Sequence, residues 1–335
     1  MRRLATAFVL ICILVPGGIA ASLWSLAHRD GPLRTGTDHV VSRGGVSSIA
    51  RSLGEAGILP RGRMARLGFR IVTRLTASEG PLHAAELHFP AHVSMLGTLA
   101  ILRHAAPVRH QLTIPEGLTS RQIAALIAHT PYLSGPVPEF AEGSVFPQTI
   151  DYERGVSRVQ IVHRLQTLMR RSLDTLWAAR DPGLGLANAE EMLTLASIVE
   201  RETAAPQERP LIARVFLNRL ARGMKLQSDP TAIYDLSAGL GVLDHPLTHE
   251  ELHRPGPHNT YAISGLPAGP ICSPGRAALE AVAHPAPGDM LYFVADGRGG
   301  HGFSSTLDAH NRKVGALRAL RRGNRPSGPE PKERP

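Results

Sequence analysis

The sequence predicts an α+β fold, and three patterns carry the prediction. An uncharged apolar run near the N-terminus has the length of a membrane helix. Two β-prone segments are each followed by a glycine turn and an amphipathic helix. A later helical block bears a glutamate on its apolar stripe and leads through polar, Gly/Pro-rich loops to a terminal hairpin. The chain has 335 residues, enough for two domains or one large one. With 43% hydrophobic and 19% charged residues, it is neither wholly disordered nor a polytopic membrane protein.

Charge and cysteine usage narrow the function classes. Lys+Arg number 37 against 28 Asp+Glu, a formal net charge of +9, and only Lys225, Lys313 and Lys332 are lysines. The arginines are spread along the chain without aromatic interleaving, which argues against a nucleic-acid partner. A basic surface favours an anionic partner instead, such as a wall polymer or lipid headgroups. Cys12 lies in the apolar run and Cys272 stands alone, so there is no disulfide framework; no CxxC or Cys/His zinc spacing occurs either.

Taking the elements in order, Leu4 to Ala27 carries no charge and follows Arg2 and Arg3. That run spans a hydrocarbon core of about 30 Å, and the flanking arginines place the N-terminus in the cytoplasm. A cleaved signal is the competing reading, with Leu4–Val15 as its apolar core and Gly18-Ile19-Ala20 as the cleavage site. Both readings export the rest of the chain. After a polar linker, His39–Ser42 reads as a strand and Val46–Ala56 as a helix with Ile49, Ala50 and Leu53 inward. Gln111–Ile114, Pro115-Glu116-Gly117 and Thr119–Ala128 repeat that strand, turn and helix, either as a second half of one unit or as an unrelated piece. Arg63–Thr73, Val93–His104 and Ser157–Trp177 have helical spacing. Asp181–Ala189 breaks the last of these, and Arg321–Pro335 is expected to be disordered.

The block from 190 to 311 carries the chemistry. Glu190–Thr203 reads as a helix with Leu193, Ala196, Glu200 and Thr203 on one face, which turns Glu202 away. A carboxyl on an apolar stripe loses hydration and stays protonated to higher pH, as a general acid requires. The alternative is a structural ion pair with Arg209, Arg214 or Arg219. A second helix, Leu211–Ala221, stops at Gly223, and polar loops follow at 224–231, 257–261 and 265–270. Amide, hydroxyl and ring groups on such loops suit a sugar site. Met290–Asp296 and His301–Ser304 form a hairpin, and Ser305 with Asp308 has capping-box spacing for a final helix through Leu320. His249-Glu250-Glu251-Leu252-His253 matches the zincin pattern, with His258 and His284 as candidate third ligands. Pro246 and the Pro255-Gly256-Pro257 run leave it at most two helical turns, so no metal is expected.

The segment Leu195-Ala196-Ser197-Ile198-Val199-Glu200-Arg201-Glu202-Thr203 resembles the signature of the YceG-like (MltG) endolytic murein transglycosylases. The likeness continues in order through Val215–Leu220, Gly223-Met224, Leu226–Thr231, Asn259-Thr260-Tyr261, Gly265-Leu266-Pro267, Gly269–Cys272, Tyr292–Gly297 and His301. Upstream, Thr113–Gly117, Glu142-Gly143 and Phe146-Pro147 also fit. Gln148 and His258 depart, standing where the family's motifs read Asp and Tyr. The resemblance implies a membrane helix over 1–30, a LysM-like glycan-binding region over 31–135, placed at 39–59 or 111–128, and a mixed α/β catalytic domain over 136–320. It implies cleavage of the MurNAc–GlcNAc bond of nascent peptidoglycan strands with 1,6-anhydro-MurNAc formation, terminating glycan elongation. Glu200 would be the catalytic acid and base, and Gln227, Asp229, Asn218, Asn259 and Tyr261 would bind the glycan, with no cofactor. The implied location is the inner membrane with the catalytic domain in the periplasm, and peptidoglycan synthases are candidate partners. A non-catalytic peptidoglycan-binding scaffold is the alternative function.

Overall fold

The computed structural model describes residues 2–323. Its first helix, α1 (Arg2–His28), runs without interruption through Pro16. The side chains before Leu14 lie outside the described set, and with them much of the expected anchor. Among the described residues no helix is long and apolar enough to cross a membrane. The chain then divides into two compact units, one running to Gln111 with Asp151–Gly155, the other comprising Leu112–Ile150 and the chain from Val156 on.

The first unit continues with β1 (Thr37–Val40), α2 (Val46–Glu55), α3 (Arg63–Leu75), β2 (Glu86–Phe89) and α4 (Met95–His104). β1 and β2 pair antiparallel, Thr37 opposite Phe89 and Val40 opposite Glu86, so the two strands enclose a pair of helices in sequence. The helical spacing of Ile49, Ala50 and Leu53 does bury those residues, against Phe69, Leu87, Phe89, Leu99 and Leu102. β2 has no turn-flanked alternation long enough to announce it; it forms because β1 offers an edge and its Leu87 and Phe89 reach the core. Buried Arg103 ties α4 to the chain after α3: its guanidinium donates to the Gly80 and Thr73 carbonyls, the Thr76 hydroxyl and Glu79.

β3 (Arg109–Thr113) and β4 (Thr149–Glu153) form a second two-stranded sheet, in which the chain passes between the units. The second unit is mainly helical. It holds α5 (Ser120–His129), α6 (Arg158–Ala179), α7 (Ala189–Glu202), α8 (Arg209–Ala221), α9 (Asp229–Leu236), α10 (His249–Leu252) and α11 (Arg276–Ala283), then β5 (Tyr292–Ala295), β6 (His301–Ser304) and α12 (Leu307–Gly323). Capping boxes at Thr119/Gln122 and Ser157/Gln160 fix the starts of α5 and α6. The core gathers around α7, which buries every residue from Met192 to Val199 against α6, α8 and α11. β5 and β6 pair antiparallel as expected, with Phe293 opposite Phe303.

Two expectations at the C-terminal end change. Ser305 does not cap the last helix: its hydroxyl donates to Asp289, and Thr306 accepts from the Ala309 N–H instead. The helix also runs on through Gly323, so residues 321–323 are helical; the rest of the tail expected to be disordered, 324–335, lies outside the described residues.

Candidate active site

α7 ends in two glutamates whose surroundings differ. Glu200 lies on the stripe that the spacing gave it, and its side chain is 5% exposed. It does not meet a bare apolar wall. Oε1 accepts from Arg209 Nη2 at 2.9 Å and Oε2 accepts from the Gly275 N–H at 2.9 Å. Of the three arginines nearby in sequence, Arg209 makes the ion pair, while Arg214 and Arg219 donate to backbone carbonyls. Glu116 stands 3.8 Å from the same guanidinium, and burial and the Glu200 charge push its carboxyl above the usual range.

Gly275 leaves room for the Glu116 side chain in this cluster. A Cβ there would come within 1.8 Å of Glu116 Oε1. Gly275→Ala is therefore expected to cost about 1 kcal/mol, and Glu116→Ala in the same chain to relieve most of it. Urea midpoints of the two single variants and the double variant check this; strict additivity would contradict it.

Glu202, the last residue of α7, faces a cleft of about 360 Å³ lined also by Gln227, Asp229, Tyr261, Phe293 and His301. The cleft is assembled by distant loops. Arg219 on α8 donates to the Leu291 carbonyl at 2.7 Å and to the Leu226 carbonyl at 2.7 Å, fastening the loop after α8 to the chain before β5. That loop meets the 257–261 loop through Ser228 N–H to Thr260 Oγ1 at 2.9 Å and Gln227 N–H to the Thr260 carbonyl at 3.3 Å. Gln227 itself takes φ of +50°, a left-handed conformation unusual for a residue with a Cβ and concentrated at functional sites.

Burial raises the Glu202 carboxyl to about 7. The Ser228 hydroxyl, which donates to its Oε1, pulls the other way; the Asp229 charge raises it further, and His301 and Arg219 lower it. The group is thus poised to exchange a proton near neutral pH. Tyr261 donates its hydroxyl to Asp229 Oδ1 at 2.5 Å, fixing the second cleft carboxylate. Beside them, His301 pairs through Nδ1 with Glu208 at 2.7 Å, and Glu208 also accepts from Thr203 Oγ1 at 3.0 Å. Burial alone would raise the Glu208 carboxyl, but these hydrogen bonds outweigh it and hold it below the usual range.

Of the residues singled out from sequence, the cleft brings together Gln227, Asp229 and Tyr261. Asn218 and Asn259 serve the scaffold. Asn218 donates to the Gly288 and Met290 carbonyls, and buried Asn259 donates to those of Leu252 and Arg254. Glu200 is outside the cleft lining, and Glu202, which lies off the apolar stripe by spacing, is in it. The zincin-like residues sit on a single helical turn, with the His249 and His253 rings packed on each other at 4.6 Å. His258 pairs with Asp235 and His284 with Asp181, so neither candidate third ligand joins them. Among the described residues no group of three or more His, Cys, Asp or Glu side chains is arranged to hold a metal ion.

Comparison with known proteins places this arrangement. The YceG-like family model matches residues 39–316. An endolytic murein transglycosylase of Bacillus subtilis is 38% identical over 125 residues, 37% of this chain and 34% of that protein. One of Streptococcus pneumoniae is 30% identical over 250 residues, 62% of this chain and 44% of that protein. The matched region is thus less than half the length of either relative. A crystal structure of a yceG-like protein from Listeria monocytogenes superposes with a TM-score of 0.50 at 25% identity, covering 83% of this chain and 99% of that one. With most of its length matched by the family model, the chain belongs to the YceG-like family.

Proposed function

We propose that this chain is an endolytic peptidoglycan transglycosylase and that Glu202, rather than Glu200, is its acid and base. The observation that carries the reading is the Glu202 carboxyl, raised to about 7 inside a cleft that also holds Gln227, Asp229 and Tyr261. A carboxylic acid still protonated near neutrality donates to the glycosidic oxygen as the bond to C1 breaks through an oxocarbenium-like state. The resulting carboxylate takes the proton from the muramoyl 6-hydroxyl, whose oxygen bonds to C1 and closes the 1,6-anhydro ring. Water is not consumed, and one group serves both proton transfers. Asp229, held by Tyr261, supplies negative charge beside the developing cation, and Gln227 hydrogen-bonds the sugar.

The same reading assigns the remaining parts. The antiparallel β1/β2 pair enclosing α2 and α3 supports a LysM-like glycan-binding module, in the first of its two candidate positions. α1 anchors the chain in the inner membrane with the catalytic region in the periplasm, where the enzyme terminates nascent strands beside peptidoglycan synthases. The uncharged run Leu4–Ala27 supports the anchor, and the relatives' names support murein as the glycan.

The test is mass spectrometry of isolated peptidoglycan after incubation with the purified full chain. New 1,6-anhydro-muramoyl ends are expected. New reducing ends would make the protein a hydrolase, and no new ends from a folded, glycan-binding protein would make it a scaffold.

A further inference from the structure

α3 carries three stripes where an ordinary packed helix carries two. At about 100° per residue, Ala65, Gly68, Phe69 and Val72 form one arc, and all four are buried in the first unit. Arg63, Arg66, Arg70 and Arg74 form a second arc about 80° wide, and Met64, Leu67, Ile71 and Leu75 a third of similar width between the other two. Met64 is 76% exposed and Leu75 74%, and Leu67 is also exposed. The helix contains no acidic residue. None of the four arginine side chains has a hydrogen bond or an ion pair among the described residues, whereas buried Arg103 of the same unit is fully engaged. Exposed apolar residues beside uncompensated arginines are unusual on a helix that has already buried a face.

The neighbour on the apolar side is α1. Gly68 borders the apolar stripe, and a Cβ there would lie 2.6 Å from Leu26 Cδ2, so its absence lets the C-terminal end of α1 lie against α3. Near that end Trp24 is 67% exposed. The apolar stripe of α3 is therefore continuous with the helix that carries the uncharged run.

We propose that α3 is a lipid-contact helix: its arginines bind the phosphates of an anionic bilayer surface while Met64, Leu67, Ile71 and Leu75 enter the headgroup layer. The argument for lipid over a soluble acidic polymer is the apolar stripe and its continuity with α1; a polymer would use the arginines alone. The proposal draws on the reading of α1 as an anchor, and gives the first unit a fixed orientation at the surface where that helix emerges. Each arginine is worth about fivefold in partitioning to an anionic surface, so four together give on the order of a hundredfold or more at low salt.

The test uses the full chain with Cys12→Ser and Met64→Cys, labelled at 64 with an environment-sensitive fluorophore, Cys272 being buried. The protein is reconstituted in vesicles of neutral phosphatidylcholine or of phosphatidylcholine with 30% phosphatidylglycerol. Quenching by the neutral quencher acrylamide is expected to fall at least threefold in the anionic vesicles and to return when Arg63, Arg66, Arg70 and Arg74 are all changed to Gln. Equal quenching in the two vesicle types, or protection that survives the four substitutions, overturns the proposal. So does equal protection by soluble polyglutamate, because the apolar stripe would then contribute nothing. Flotation separates failure of the anchor from failure of the face. A wild-type chain that leaves neutral vesicles but floats with anionic ones loses the anchor and keeps the lipid-contact helix.

Discussion

Glu202→Gln is expected to lower glycan cleavage by about a thousandfold, with folding and glycan binding intact. Removing a positioned general acid typically costs between a hundredfold and ten-thousandfold, and here the same group also serves as base. Gln keeps the shape and can still accept from Ser228, so the loss reports the missing proton. Glu200→Gln, assayed where the protein is folded, is expected to stay within tenfold of wild type, because its partners are Arg209 and a backbone N–H rather than the cleft. Anhydro-muramoyl ends counted by mass spectrometry decide between them. An inactive, folded Glu200→Gln beside an active Glu202→Gln would return the role to Glu200.

The raised carboxyl adds two signatures with definite signs. The acid must be protonated when the bond breaks, so the rate should fall as pH rises through about 7. Ser228→Ala removes a hydrogen bond that favours the anion, so this alkaline limb should move to higher pH. Stability follows the same group. A folded value of about 7 against the ordinary glutamate value of 4.5 means that the folded chain binds the extra proton between those pH values. The cost of ionising Glu202 in the fold is therefore absent below pH about 4.5 and fully present above about 7, where it reaches on the order of 3 kcal/mol. Glu202→Gln should accordingly be more stable than wild type at pH 8 and nearly equal to it at pH 4.5, as thermal unfolding at the two pH values would show.

The helices α2 to α8, α12 and the terminal hairpin were legible in the sequence because their signals are local, whereas α9, which begins at Asp229 inside the stretch read as a polar loop, and α11 were not. Ile49, Leu53, Ile123 and Ile127 recur at helical spacing and are buried; Thr119 and Ser157 carry their caps with them. β2 and β4 were not legible, since each depends on a partner strand more than 30 residues away. The site divides along the same line. Gln227, Asp229 and Tyr261 could be singled out because polar groups in Gly/Pro-punctuated loops suit a cleft. Glu202 could not be found by periodicity, which asks only which side of α7 meets its own core. Its environment comes from the other side, where the 224–228 loop with the start of α9, and β5, brought in by Arg219, cover the end of the helix. Its place at the last helical residue, before a run of loops, was the available signal.

Arg209→Met should be among the most destabilising single substitutions in the catalytic unit, about 3 to 5 kcal/mol. The Arg209 side chain is 10% exposed and that of Glu200 5%, so removing the guanidinium leaves a carboxylate that water reaches poorly and only one backbone N–H compensates. Glu116 makes matters worse, because its charge then faces Glu200 without the cation that stands between them. Glu200→Met is expected to cost less, since Glu116 remains 3.8 Å from the orphaned arginine and can follow it. Changing both to Met removes the charge problem and leaves an apolar contact beside Val199 and the α11 core, so the double variant should be more stable than Arg209→Met by about 2 kcal/mol. Urea unfolding of the four proteins measures that coupling, and additivity within about 0.5 kcal/mol would show that the pair does not hold the end of α7 in place. The double variant also separates the two glutamates: once it is folded, its cleft still contains Glu202, Asp229 and Tyr261. It should cleave glycan with the wild-type alkaline limb, which a chain relying on Glu200 for its proton could not do.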